Sequence, residues 1–359
     1  MKVAIVYDRV NKWGGAERVL LALHKIFPNA PLFTSVYDRD KAKWADDFTV
    51  KPSFLQKVPF LRGNNELFPF LMPLAFESFN FDDYDLVLSV TSEFAKGIIT
   101  KPKTIHVCLC LTPTRYLWSS FDVYFGNFFL RFFSSPIVSY LRNWDLIASG
   151  RPDKYIAISN EVKKRISKYY GRDSVVIYPP ILIGDKGIKR KPSDYFLFVS
   201  RLSKFVMYKR ANIVVEAFNE LGLPLKIVGS GSLKKKLQRI AKSNIEFLGQ
   251  VNDEELEELY KNSKALIFPG VEDFGLVMAE AQSVGTPVIA FRGGGAVEIV
   301  KEGVSGEFFN GQNPASLMSV LKNFDESRYN REAIKESSEK FSFLRFKEEI
   351  LDFIDAKSS

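Results

Sequence analysis

Glu272 and Glu280 stand eight positions apart in the segment PGVEDFGLVMAEAQSVGTPVIA, residues 269–290. A strand is predicted to end at Pro269-Gly270 and a helix to begin at Gly275, so the two carboxylates straddle a helix start. Gly275 allows close approach of the backbone, and the first free N–H groups of a helix can cradle an anion. Glu280, about a turn and a half beyond Gly275, is placed to accept from ligand hydroxyls. A pair of carboxylates on a helix is usually just solvated, but the strand-to-helix placement and the flanking Phe274 and Gly275 favour a binding role.

Other candidates are weaker alone. Arg201 and Lys209 follow the strand-like run YFLFVSRL with SKFVMY between them, and two solvated cations are the plain alternative. Gly14-Gly15 sits between a first strand and a first helix, where a tight turn explains it equally well. It is not the pattern G-x-G-x-x-G, which argues against an NAD enzyme. Asp38-Arg39-Asp40 has the spacing of a D-x-D metal site, but a solvated turn accounts for it. Cys108 and Cys110 lie in IHVCLCL and read as buried strand thiols, since a zinc site needs more ligands.

The elements that must position these residues form one pattern twice. Apolar runs at 2–7, 85–90, 104–111, 154–159 and 174–180 are mostly unbroken, as in parallel strands covered on both faces. A second series follows at 195–202, 224–231, 245–251, 264–270 and 286–291, with helical segments at 211–221, 232–242, 253–262 and 275–284. Alternation of this kind implies α/β architecture with two doubly wound parallel sheets. The Pro-, Gly- and Lys-rich stretch 178–194 reads as the linker. Domains are expected at 1–182 and 183–340, with an amphipathic helix in 341–359 packing back on the first.

Composition bounds the function class. The 359 residues are 46% hydrophobic and 26% charged, as in a globular protein with full cores. No run of about 18 uncharged apolar residues predicts a membrane span, and the N-terminus lacks a signal-peptide core, so a cytoplasmic location is expected. Residues 1–180 hold 24 Lys and Arg against 17 Asp and Glu, whereas residues 181–359 hold 26 against 25. That N-terminal excess suits phosphorylated ligands or an anionic membrane. Nucleic acid is disfavoured, because no zinc-finger spacing or RNP-like motif occurs. Residues 54–79 and 116–144 are rich in aromatics, including Phe60, Phe129, Phe132 and Phe133; the plain reading is core packing, the sharper one a surface at a bilayer interface.

The segment around Glu272 and Glu280 resembles the E-x7-E motif of retaining nucleotide-sugar glycosyltransferases of family 4, which have the GT-B fold. LTPTRYLW (111–118), WDLIASGRPDKYIAIS (144–159), VIYPP (176–180) and the glycines of FRGGG (291–295) extend the likeness over about residues 1–310. It is nearest to O-antigen and polysaccharide mannosyl- or rhamnosyltransferases. The resemblance implies two Rossmann-like domains facing a cleft, the first binding a glycan or lipid-linked acceptor and the second a nucleotide-diphosphate sugar such as GDP-mannose. Glu280 would bind the ribose, Glu272 the sugar hydroxyls, and the backbone of Phe274, Gly275 and Leu276 the sugar and phosphates. Arg201 and Lys209, with Arg210 as a substitute, would clamp the diphosphate in place of a metal, so no metal or cofactor is expected. Gly14 and Gly15 would let the backbone approach the donor phosphate or the acceptor, and Gly249 to Val251 would lie near the base. Leu111, Thr112 and Arg115 would line the acceptor or sugar pocket.

One departure stands out. Relatives usually read Cys-His-Thr-Pro where this chain has Cys110-Leu111-Thr112-Pro113. His106, five residues upstream, would lie ~16 Å away along a strand and cannot fill the place; His24 reads as structural. An apolar Leu111 would leave a C6 hydroxyl unpaired and suit a methyl group, which points to a 6-deoxy sugar such as rhamnose. A catalytically weak sugar- or nucleotide-binding subunit is the alternative.

Overall fold

The computed structural model describes residues 1–58, 68–126, 128–183, 191, 193–203 and 209–355. Phe60, residues 184–190 and 192 of the expected linker, and the segment 204–208 between Arg201 and Lys209 lie outside these residues. The chain divides into two compact units, Met1–Pro180 with Phe346–Ser359, and Ile181–Arg345.

The first unit is built on β1 (Val3–Tyr7), α1 (Gly15–Ile26), β2 (Leu32–Thr34), β3 (Val50–Pro52), α2 (Met72–Glu77), β4 (Leu86–Thr91) and β5 (Ile105–Cys110). It continues through α3 (Phe121–Tyr124), α4 (Phe128–Ser149), β6 (Lys154–Ala157), α5 (Asn160–Tyr170) and β7 (Val175–Val176). Its seven strands run in the order β3-β2-β1-β4-β5-β6-β7, every neighbouring pair parallel. The register of β1 on β4 runs from Val3↔Leu86 to Tyr7↔Val90. All five residues of β1 and all six of β4 are buried, as strands covered on both faces require. One core cluster joins Val6, Phe76, Val87, Phe94, Leu141 and Trp144. Helix α5 begins where Ser159 Oγ accepts from Val162 N at 3.1 Å and ends at Gly171 in the left-handed region, φ 62°.

The second unit comprises β8 (Phe196–Val199), α6 (Ala211–Leu221), β9 (Leu225–Val228), α7 (Lys234–Ile240), β10 (Ile245–Gly249), α8 (Asp253–Asn262) and β11 (Leu266–Phe268). Then come α9 (Leu276–Ser283), β12 (Val288–Phe291), α10 (Ala296–Ile299), β13 (Gly306–Phe309), α11 (Pro314–Leu321), α12 (Arg331–Ser338) and α13 (Phe343–Asp355). The six strands are again parallel, in the order β10-β9-β8-β11-β12-β13. Helix α13 belongs to the first unit from Phe346 onward; there Lys154 Nζ donates to the Phe353 carbonyl at 3.3 Å and lies 4.8 Å from its ring centroid.

The two doubly wound parallel sheets expected from the sequence are therefore present. Strands β2, β3 and β13 have no counterpart among the predicted runs. Among the described residues no helix is long and apolar enough to cross a membrane.

Candidate functional site

In the second unit the strand order reverses between β8 and β11, which opens a crevice at the carboxyl ends of those strands. Arg201 follows β8 and Glu272 follows β11. Lys209, at the far end of the same β8 connection, closes on Glu272: its Nζ lies 2.8 Å from Glu272 Oε1, and the side chains are only 15% and 18% exposed. Two motifs 63 positions apart in the chain thus meet as one ion pair. Arg201 is exposed.

The backbone around Arg201 is held by Gly229-Ser230-Gly231 at the end of β9. Leu202 N donates to Ser230 O at 2.9 Å and Leu233 N to Leu202 O at 2.8 Å. A Cβ on Gly229 would stand 1.9 Å from Ser200 O, and one on Gly231 2.3 Å from Leu202 O, so only glycine fits there. No expectation covered this Gly-Ser-Gly turn, although its position directly after the run PLKIV was a readable signal. Arg210, which caps α6, has φ 52° and is the one non-glycine residue with positive φ among the described residues. The strain of that conformation turns the chain sharply between Lys209 and the helix.

The Glu272 loop is shaped from the other side by Gly293-Gly294-Gly295. Gly295 N donates to Glu272 O at 2.9 Å, and side chains at 294 and 295 would come within 2.4 Å of Glu272 O and 2.3 Å of Phe274 O. Gly275 opens α9 at φ 96°, and a Cβ on it would meet Met278 Cε at 2.4 Å. Phe274 is buried against Phe341 and Leu276 is half-buried at the helix start. Glu280 is buried: its residue is 2% exposed, and Oε2 accepts from Tyr260 Oη of α8 at 3.1 Å. The helical periodicity turns position 280 inward, and Tyr260, which carries no motif of its own, donates to one oxygen, Oε2, of the buried carboxylate. Gly249 has φ 82° and its carbonyl accepts from Gly229 N at 2.6 Å; Val251 is half-buried beyond it.

In the first unit the order reverses between β1 and β4. Asp8, just after β1, is buried and accepts from Thr91 Oγ1 and the N–H groups of Phe94 and Ala95, each at 2.8 Å, and of Ser92 at 2.7 Å. Arg9 pairs with Glu93 on the same loop. Gly14 adjoins Glu17, a buried carboxylate that accepts from Tyr7 Oη at 2.6 Å; burial, then Glu17, pushes the Tyr7 hydroxyl well above its ordinary pKa. Gly15 has open space around it.

Leu111 is buried at the end of β5, its N donating to Thr91 O at 2.8 Å, and Thr112 Oγ1 accepts from Arg165 Nη1 at 3.4 Å. Arg115 is half-buried in the segment that follows. Beneath this segment Asp145 accepts from Lys96 Nζ at 2.5 Å, Trp118 Nε1 at 2.7 Å, Tyr170 Oη at 2.9 Å and Thr114 Oγ1 at 3.2 Å. Burial works against the Lys96 charge, but Asp145 more than offsets it and the net direction is upward. Sequence reasoning missed Asp8, Lys96 and Asp145, since each finds its partners dozens of residues away.

His106 is fully buried, Nε2 2.8 Å from Ser89 Oγ, and burial pushes its pKa down from 6.5 to about 3, so it is a neutral core group. His24 packs on Phe48 with centroids 4.2 Å apart. Asp38 pairs with Lys41 at 2.8 Å, and that hydrogen bond lowers its pKa. Cys108 and Cys110 are free and buried.

Residues 183–341 match the family described as Glycosyl transferases group 1. An uncharacterized glycosyltransferase of Methanocaldococcus jannaschii is 30% identical over 54% of this chain and 56% of its own length. O-antigen chain mannosyltransferase C of Escherichia coli is 28% identical over 56% of this chain and 58% of its own. This chain thus spans little more than half the length of these relatives. Among solved structures, Anabaena HepE in complex with UDP-glucose superposes with TM-score 0.73 at 18% identity, covering 99% of this chain and 100% of that one.

Proposed function

Residues 183–341 being a glycosyl transferases group 1 domain in a chain of GT-B fold, we propose that the protein transfers a hexose from a nucleotide-diphosphate sugar to a glycan or lipid-linked acceptor, with retention and without a metal. The observation that carries this is the Lys209–Glu272 ion pair at the reversal point of the second sheet, where exposed Arg201 also follows β8. Two cations there neutralise the charge that grows on a departing diphosphate. The free N–H groups at the start of α9 add to that field. Glu272 orients the sugar through its hydroxyls, while Glu280 acts from beneath the ribose, its carboxylate held by Tyr260. The O-antigen mannosyltransferase relative supports mannose or a close analogue, and buried apolar Leu111 supports a 6-deoxy sugar such as rhamnose. The first unit receives the acceptor.

The test is a thermal-shift panel of GDP, UDP, dTDP and ADP, alone and with their common sugars, in EDTA. A ligand at 100 times its Kd stabilises by about 2.7 kcal/mol. One strong responder names the donor, and turnover is then sought with saccharide acceptors. A second reading, a non-catalytic sugar- or nucleotide-binding subunit, is favoured by Leu111 alone; nucleotide binding without transfer to any acceptor would support it.

A further inference from the structure

All four tryptophans of the chain belong to the first unit, and three of them use their indole N–H inside it. Trp44 Nε1 donates to Lys12 O at 2.8 Å, Trp118 Nε1 to Asp145 Oδ2 at 2.7 Å and Trp144 Nε1 to Glu77 Oε1 at 2.7 Å. Trp13 is the exception. Among the described residues nothing accepts from its Nε1, and at 39% exposed it is the most open of the four. An indole left this way offers a ring and a hydrogen-bond donor to whatever docks beside it.

The ring is nevertheless held in place. Trp13 stands on the β1–α1 connection, at the carboxyl end of β1, where α/β sheets receive ligands. The Arg18 guanidinium of α1 lies 5.2 Å from its centroid, and the Trp44 ring, from the β2–β3 connection, stands 6.3 Å away at 48°. Trp44 is itself anchored by Lys12 O and by Phe48, whose ring centroid is 5.9 Å off. Gly15, two residues on, leaves open space, since a Cβ there would meet nothing within 4 Å. A pyranose matches this chemistry: its apolar face of C–H groups packs on an indole, and its hydroxyls accept from a donor at the indole edge. A lipid chain has no acceptor for that N–H.

We propose that Trp13 selects a saccharide as the acceptor, by stacking on a pyranose ring and donating from Nε1 to a hydroxyl. The proposal rests on the reading above that the first unit receives the acceptor, and it fixes that acceptor's class as a pyranose with an open C–H face.

The test is saturation-transfer NMR of the full chain with methyl α-mannopyranoside and with methyl α-rhamnopyranoside, in the absence of nucleotide. Wild type should pass saturation to the ring C–H protons of at least one glycoside. Trp13→Ala should weaken that binding about tenfold, the worth of a stacked ring plus one hydrogen bond, with nucleotide Kd unchanged. Trp13→Phe keeps a ring but loses the donor, so its affinity should fall only about threefold, which separates stacking from a failure to fold. Indole emission should shift to the blue on glycoside addition in wild type and stay put in Trp13→Phe. Absence of wild-type binding to both glycosides, or equal binding by Trp13→Ala, overturns the proposal. So does a loss confined to nucleotide binding, which assigns the ring to the donor, or sedimentation velocity showing a dimer that Trp13→Ala dissolves, which assigns it to a second copy. The glycosides and the nucleotide panel are read separately, so failure of this proposal is not mistaken for failure of the donor reading.

Discussion

Lys209→Ala removes the amino group that stands 2.8 Å from Glu272 Oε1. The pair is largely shielded from water, so a charge-assisted hydrogen bond from Lys209 to a diphosphate oxygen contributes about 1.5–3 kcal/mol. Its loss should weaken nucleoside-diphosphate binding roughly 10- to 150-fold. The carboxylate of Glu272, left without its counter-ion, repels the incoming phosphate and moves the effect toward the upper figure. The double variant Lys209→Ala/Glu272→Gln should therefore bind several-fold better than Lys209→Ala alone, a coupling that a double-mutant cycle isolates. The cost to the fold is followed separately, because removing one partner of a largely shielded pair leaves the other charge uncompensated. Isothermal titration with the nucleotide picked by the thermal-shift panel gives Kd, and a melt in the absence of nucleotide gives Tm. A Kd within about threefold of wild type, against the roughly tenfold minimum expected, would refute the assignment and leave the pair a purely structural contact.

Leu111→His should raise kcat/KM for a mannose donor relative to its 6-deoxy counterpart by roughly 10- to 100-fold, the worth of one hydrogen bond to a buried hydroxyl; competition between the two donors reads the ratio, and an unchanged ratio removes Leu111 from sugar choice. Asp145→Ala should destabilise the fold by about 3–5 kcal/mol, since it leaves the Lys96 cation buried without its counter-ion; denaturant melts measure this, and a loss under about 1 kcal/mol refutes the account. His106 binds its proton in the unfolded chain near pH 6.5 but in the folded chain only near pH 3. Between those values the unfolded state holds more protons, so stability falls as pH drops below 6.5, by up to about 1.4 kcal/mol per unit. In His106→Gln that acid limb should flatten; an identical pH profile would show that other groups set it.

Much of this protein could be read from the chain alone, and the reason is local. Unbroken runs such as VAIVY and LVLSVT can serve only as strands buried on both faces, and the spacing of apolar residues in ANIVVEAFNEL and DEELEELYKN marks α6 and α8 without any tertiary help. Glycines at 275 and 293–295 carried the shape of the Glu272 loop, because no side chain fits where they stand. Short β2, β3 and β13 were not legible, whereas equally short β11 and β12 were, because only the latter sit inside the longer apolar runs 264–270 and 286–291. Only the tertiary structure joined Lys209 to Glu272 and turned Glu280 inward onto Tyr260. It alone gathered the backbone of residues 92–95 around Asp8. The aromatic stretch 116–144 shows the division best: composition left core and surface both open, and the packing of α4 sent Trp144 and Leu141 inside while leaving Phe129, Phe132 and Phe133 outside. An apolar helix can be covered along only part of its surface, and which part is covered depends on what folds against it.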